Sequence, residues 1–168
     1  ILDDGQEITV SCAEGETCIV YDGKLDFEII KTDLSSVSET KTQIMMNLGN
    51  PDMAFSLASL PVDGIGLARM EFIINTSIRA HPMALIHPEK VDEHTREKIM
   101  QLTAAYESPE SFFVKVLSEG VASIASAVYP DPCVVRMSDF KSNEYASLLG
   151  GESFEMDEAN PMIGFRGA

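Results

Sequence analysis

Three arginines are placed where fixed positive charge could do chemistry. Arg69 closes the segment Gly64-Ile65-Gly66-Leu67-Ala68-Arg69, and Arg136 closes Cys133-Val134-Val135-Arg136. Arg166 sits in Asn160-Pro161-Met162-Ile163-Gly164-Phe165-Arg166-Gly167, a loop constrained by one proline and two glycines. A guanidinium stays charged at any working pH and grips phosphate or carboxylate oxygens bidentately, so the three together point to an anion site, phosphate foremost. Taken singly, each has a plainer use. A strand-ending arginine is more often a salt-bridge partner, with Glu71 available to Arg69, and Arg166 alone reads as surface loop.

Around Arg136 the chain turns abruptly polar: Ser138-Asp139-Phe140-Lys141-Ser142-Asn143-Glu144-Tyr145. On an extended strand Val134, Arg136 and Ser138 share a face, so the arginine can point into a site at the strand's end. Glu71, Asp139 and Asn143 are the candidate supporting groups. Asp139 or Asn143 capping the next helix is the structural alternative. Gly64-x-Gly66-x-x-Arg69 looks like a dinucleotide fingerprint, but the third glycine is missing and the glycines precede the strand, so that reading fails.

Other reactive side chains form no site by spacing. His81 and His87 precede prolines in expected loops. His87 and His94, seven apart, read as solvated surface rather than a metal pair. The three cysteines, Cys12, Cys18 and Cys133, lack metal-ligand spacing. Cys12 and Cys18 flank an expected turn and can face each other across a hairpin. Free thiols are expected in a reducing cytosol. Cys133 opens a strand and is assigned to packing.

The formal net charge is -15, from 12 basic and 27 acidic residues. Such a surface repels phosphate backbones, which excludes nucleic acid as an expected partner. No apolar stretch reads as long enough to span a bilayer, and no leader pattern opens the chain, so no membrane partner is expected. A chain that begins on Ile1 rather than Met is expected to be a piece of a longer one.

These side chains need a scaffold, and the patterning predicts an α/β one. Residues 1–31 alternate in period two around Ala13-Glu14-Gly15-Glu16 and Asp22-Gly23, predicting two β-hairpins with strands near 6–11, 18–21 and 25–29. Residues 32–42 are polar and Ser/Thr-rich, as in a linker. From Gln43 an apolar run, a turn at Gly49-Asn50-Pro51-Asp52, a helix over 53–60 and a strand over 65–69 predict a βαβ unit. A long helical stretch over 71–127 is broken at His81-Pro82, His87-Pro88 and Ser108-Pro109. A third buried strand follows at 133–137. Three parallel strands can open a doubly wound sheet or an eight-stranded barrel, and periodicity leaves both standing. In a barrel, strand C-termini face the active site.

On these motifs the chain resembles the enzymes that use phosphoenolpyruvate (PEP), among them the dikinases and enzyme I of the bacterial sugar phosphotransferase system. The Asn160–Gly167 loop is shared across that group. Val135 to Tyr145, Asn47-Leu48-Gly49-Asn50-Pro51 and Leu67 to Ile74 are similar to the pyruvate, water dikinase branch. Gly23 to Glu28 resembles the tail of that branch's swivelling phosphohistidine domain. The resemblance implies the first strands and helices of a TIM-type (β/α)8 barrel over 43–168, preceded over 1–31 by the carrier-domain tail. It implies conversion of ATP, pyruvate and water to AMP, PEP and phosphate. Arg69 and Arg136 would be catalytic cations, and Arg69, Arg136 and Arg166 would bind substrate. The family's Mg2+ ligands, catalytic cysteine, phosphohistidine and ATP site would lie outside these residues, leaving this segment inactive in isolation. A cytoplasmic setting and a homo-oligomeric full-length enzyme are also implied. A non-catalytic PEP-binding module, or a pyruvate phosphate dikinase or enzyme I-type phosphotransferase, are the alternatives.

Overall fold

The computed structural model describes residues 2–13, 17–31, 33–34, 37–38 and 40–165. They divide into two compact units, 1–36 and 37–168.

In the first unit, β1 (Ile8–Ser11) pairs antiparallel with β2 (Ile19–Asp22), Ile8 opposite Asp22 and Ser11 opposite Ile19. Gly23 takes a left-handed φ of 78°, as the Asp22-Gly23 dipeptide predicts. The second predicted hairpin does not form: residues 24–31 carry no strand. The Leu25 amide is taken by the Thr9 hydroxyl (2.9 Å), which itself donates to the Gly23 carbonyl (2.8 Å). The chain therefore leaves the ladder instead of folding back, and Phe27 and Ile30 stand 79% and 83% exposed. An alternating pattern cannot hold a strand when no sheet face receives its apolar side. In the segment read as a linker, the described residues are neither helix nor strand.

The second unit is built on a parallel sheet of order β3-β4-β5: Met46–Leu48, Ile65–Arg69 and Cys133–Arg136. The predicted α/β class and parallel pairing are present. β3 starts at Met46 rather than Gln43, because Ile44 is held outside the ladder by Asp63. The Ile44 amide donates to the Asp63 carboxylate and the Asp63 amide to the Ile44 carbonyl. The first crossover begins where Asn50 accepts from the Asp52 amide (3.0 Å) ahead of Pro51, an N-cap followed by a first-turn proline. A short 3-10 turn then leads into α1 (Ala54–Leu57). Gly64 enters β4 at φ 121°, and a Cβ there would lie 2.3 Å from the Pro132 carbonyl oxygen that Ile65 hydrogen-bonds.

The long helical stretch breaks at the three predicted prolines. α2 (Met70–Ile73) runs into a π-helical turn, Ile74–Ile78, that ends on left-handed Arg79. α3 (Pro82–Ile86) starts on Pro82, and a 3-10 turn starts on Pro88. α4 (Glu93–Thr103) is capped by Asp92, whose carboxylate is held below its ordinary pKa by the Thr95 hydroxyl and amide. Ser108 and Ser111 cap each other's backbone amides at the start of α5 (Pro109–Val128).

α5 corrects the sequence expectation about membrane-length segments: by length and composition alone it could cross a bilayer. Its apolar stripe is used inside the fold. Ile124 and Val128 pack on the sheet with Leu48, Ile65 and Ala68, while Phe112 joins a second core with Ile74, Ile78, Leu85 and Ile99. Gly120 lets Ile73 approach closely, since a Cβ there would meet its side chain at 2.8 Å. Helices cover one sheet face. Cys133 and Val135 turn toward them, while Val134, on the other face, is 52% exposed. Burial raises the Cys133 thiol pKa, which fits packing rather than nucleophilic chemistry.

Candidate anion-binding site

Parallel pairing puts the ends of β4 and β5 side by side, with Arg69 in register with Arg136. Both strands stop there because the chain turns into other structure: α2 begins at Met70, and a polar loop leads from Met137 to α6 (Ser142–Ala146). A cleft of about 370 Å³ opens at these ends, lined by Arg69, Glu71, Phe72, Arg136, Asp139 and Lys141 among others.

The two arginines are held differently. Arg136 donates from Nη2 to Glu71 Oε1 at 2.8 Å and lies 3.5 Å from Asp139 through Nη1. Glu71 Oε1 also accepts the Asp139 amide at 2.8 Å, so one carboxylate oxygen fixes both the cation and the loop beyond it. Glu71 is buried, with its side chain only 10% exposed, and its second oxygen has no hydrogen-bond partner among the described residues. Lys141, also lining the cleft, is paired with Glu144.

Arg69 has no such partner among the described residues. Glu71, the salt-bridge partner available to it by sequence, serves Arg136 instead. The Arg69 guanidinium lies over the Phe72 ring, its carbon 4.5 Å from the ring centroid. Its buried Nε has no acceptor among the described residues. Phe72 in turn occupies the space that Gly49 leaves open, since a Cβ at Gly49 would sit 2.7 Å from the ring. A buried donor without an acceptor is costly, and an anion in the cleft would satisfy it. The aromatic platform keeps the charge in place without neutralising it.

Asn143 does not join this group. It lines a separate depression with Glu152, Glu155 and Glu158. Arg166 lies outside the described residues. The residues just before it are described: Glu158 accepts the Phe165 amide at 2.7 Å and the Ser142 hydroxyl, which together hold its carboxyl below the ordinary glutamate pKa. Glu158 thereby ties the Asn160–Phe165 turn to the first residue of α6.

Sequence reasoning missed Phe72, Gly49 and Glu158 as parts of the site. His81 lies in a loop before Pro82 as expected, but it is buried and caps α3, its Nδ1 accepting the Met83 amide at 3.1 Å. That fixes the neutral tautomer with its proton on Nε2, which donates to Glu155 at 2.9 Å. His87 sits between α3 and the Pro88 turn, paired with Glu89, so it shares no helix face with His94. Among the described residues no cluster of three or more His, Cys, Asp or Glu side chains is arranged for a metal ion. Both cleft carboxylates nearest the arginines are engaged by Arg136, which does not suit them to a divalent cation.

A protein-family profile described as "PEP-utilising enzyme, PEP-binding domain" matches residues 27–168. The chain belongs to this family. Its curated relatives in the PEP-utilising family include the phosphoenolpyruvate synthase of Neisseria meningitidis serogroup B, 53% identical over 168 residues. That alignment takes in 100% of this chain and 21% of the relative. The phosphoenolpyruvate synthase of Deinococcus radiodurans is 53% identical over 99% of this chain and 21% of its own. That of Escherichia coli K12 is 47% identical, with the same coverage. The chain thus spans about a fifth of the length of these relatives. As a PEP-utilising domain, it carries its free and its buttressed arginine side by side at two strand ends.

Proposed function

We propose that this chain supplies the opening part of the PEP- and pyruvate-binding barrel of a phosphoenolpyruvate synthase, a phosphotransferase with paired acceptors that converts ATP, pyruvate and water to AMP, PEP and phosphate. In this reading residues 43–168 are the first strands and helices of a (β/α)8 barrel. Residues 1–31 are the tail of the swivelling phosphohistidine domain and 32–42 the link between them. The remaining domains of a longer polypeptide bring ATP, the carrier histidine, the Mg2+ ligands and the catalytic cysteine. The whole enzyme is cytoplasmic and oligomeric, and the isolated segment does not turn over.

The observation that carries this reading is the free Arg69 donor beside a buttressed Arg136. Phosphoryl transfer spreads negative charge over the peripheral oxygens, and fixed cations lower its barrier without having to reorganise. Arg69 offers its Nε and remaining guanidinium hydrogens to a phosphate oxygen. Arg136, oriented by Glu71 and Asp139, takes a second oxygen, and Arg166 completes the grip. Glu71 also keeps the paired arginines from repelling each other when the cleft is empty.

Arg136→Met in the full-length polypeptide tests this. Loss of PEP formation, with ATP still phosphorylating the carrier histidine, is the expected result. Unchanged turnover would remove Arg136 from the mechanism.

A further inference from the structure

The tip of the β1–β2 hairpin carries Cys12 and Cys18, both exposed and both free. The ladder's hydrogen bonding says how they meet. Gly23 donates to the Glu7 carbonyl at 2.9 Å, so Glu7 and Gly23 form a hydrogen-bonded pair. Such pairs alternate with non-hydrogen-bonded ones along an antiparallel ribbon. Thr9/Tyr21 and Ser11/Ile19 are then hydrogen-bonded pairs, and Val10/Val20 is not. Continuing the register by one residue sets Cys12 opposite Cys18 at a non-hydrogen-bonded position. There the Cα atoms of facing residues are about 4.5 Å apart and the side chains are at their closest. Disulfides span Cα separations of roughly 4.4–6.8 Å, so this pair can close without moving the backbone. The neighbouring Cys18 side chain raises the Cys12 thiol above its ordinary pKa.

We propose that Cys12 and Cys18 form a dithiol site that closes reversibly to a cross-strand disulfide by exchange with a small-molecule disulfide such as oxidised glutathione. One cysteine thiolate attacks a sulfur of the incoming disulfide and expels one thiolate, which takes up the proton. The second cysteine then attacks the protein sulfur of the mixed disulfide and expels the second thiol. Two protein thiols are oxidised, one small disulfide is reduced to two thiols, and no other reactant is needed. Either cysteine can take the mixed disulfide, and the other then resolves it. Cys133 takes no part, being half-buried against the core of the other unit. The site is independent of the anion cleft and of any reading of its function.

The test equilibrates the chain in glutathione redox buffers, with and without denaturant, followed by acid quench, alkylation and mass analysis. Cleavage after Glu14 and Glu16 separates the two cysteines unless a disulfide joins them. The expected product has lost two hydrogens, keeps the Cys12 and Cys18 fragments joined and leaves Cys133 alkylated. Native pairing should favour closure by about tenfold or more over the denatured chain, a shift of about 30 mV for a two-electron couple. Cys12→Ser should instead accumulate glutathione on Cys18. Equal closure in native and denatured chain, linkage to Cys133, or bonds only between chains would overturn the proposal.

Discussion

Arg69 and Arg136 are register partners at the ends of adjacent parallel strands, and among the described residues only Arg136 has a carboxylate partner. Neighbouring strands lie about 4.8 Å apart, so two guanidiniums start from this spacing with little to separate them. Glu71 resolves the repulsion on the Arg136 side and leaves Arg69 as the cation with bonding capacity to spare. We propose that an anion in this cleft is held asymmetrically, by the spare donors of Arg69 beside an Arg136 already aimed by Glu71.

Arg69→Lys keeps a charge but loses the guanidinium contact over Phe72 and the Nε donor. In the full-length polypeptide it should lower kcat/KM for PEP formation by about a hundredfold, in the range seen when one transition-state donor is removed. Arg69→Met should do at least as much damage. Steady-state kinetics would show it, and equal activity of the two variants with the parent would contradict an anion-binding Arg69.

Glu71→Gln and Glu71→Ala separate geometry from charge. The amide oxygen of glutamine can still accept from Arg136 and from the Asp139 backbone, so the loop should stay in place while Arg136 becomes harder to pack beside Arg69. Alanine removes both bonds and should destabilise the domain by about 1–3 kcal/mol, allowing for the partly exposed arginine. Denaturant melts should rank parent, Gln and Ala in that order.

Gly64→Ala should be among the most damaging small substitutions. It combines a φ of 121° with a Cβ 2.3 Å from a backbone oxygen that cannot move without breaking the Ile65–Pro132 bond. A loss of about 2–4 kcal/mol is expected in denaturant unfolding. A change below about 0.5 kcal/mol would mean the turn relaxes freely.

Glu158 gives a pH signature. The Ser142 hydroxyl and the Phe165 amide bind its charged form and lower its pKa. Its contribution to holding the Asn160–Phe165 turn is therefore complete above the ordinary glutamate value near pH 4.3. It fades as the pH falls through the depressed folded value. Amide hydrogen exchange of Phe165 should accelerate, relative to its pH-corrected intrinsic rate, on acidification through that window. In Glu158→Gln the pH-linked part should vanish.

His81→Ala should cost about 2–3 kcal/mol. It leaves the Met83 amide uncapped and a mostly buried Glu155 carboxylate without its donor. His81→Asn, which can still cap α3, should recover part of that loss in thermal melts.

Much of this molecule was legible along the chain. The three prolines marked helix starts because a proline lacks the amide that a first turn leaves unused. The apolar run of β4 and the break from Val135 to a polar loop marked strands whose ends would carry arginines. The resemblance of Asn160–Gly167 and Val135–Tyr145 to PEP-utilising enzymes pointed to the family directly. Where the reading failed, it failed in part for want of neighbours. Leu25–Ile29 alternates like a strand but finds no sheet to bury its apolar side, whereas the length and apolar composition of α5 lay in the sequence itself and were passed over. Sequence by itself determined the parallel α/β scaffold and the residues with fixed charge, since both follow from local periodicity and side-chain type. Tertiary structure alone decided which arginine is free: the partner of Arg136 is 65 residues away, and only the packing of β4 against β5 brings Glu71 to it rather than to Arg69.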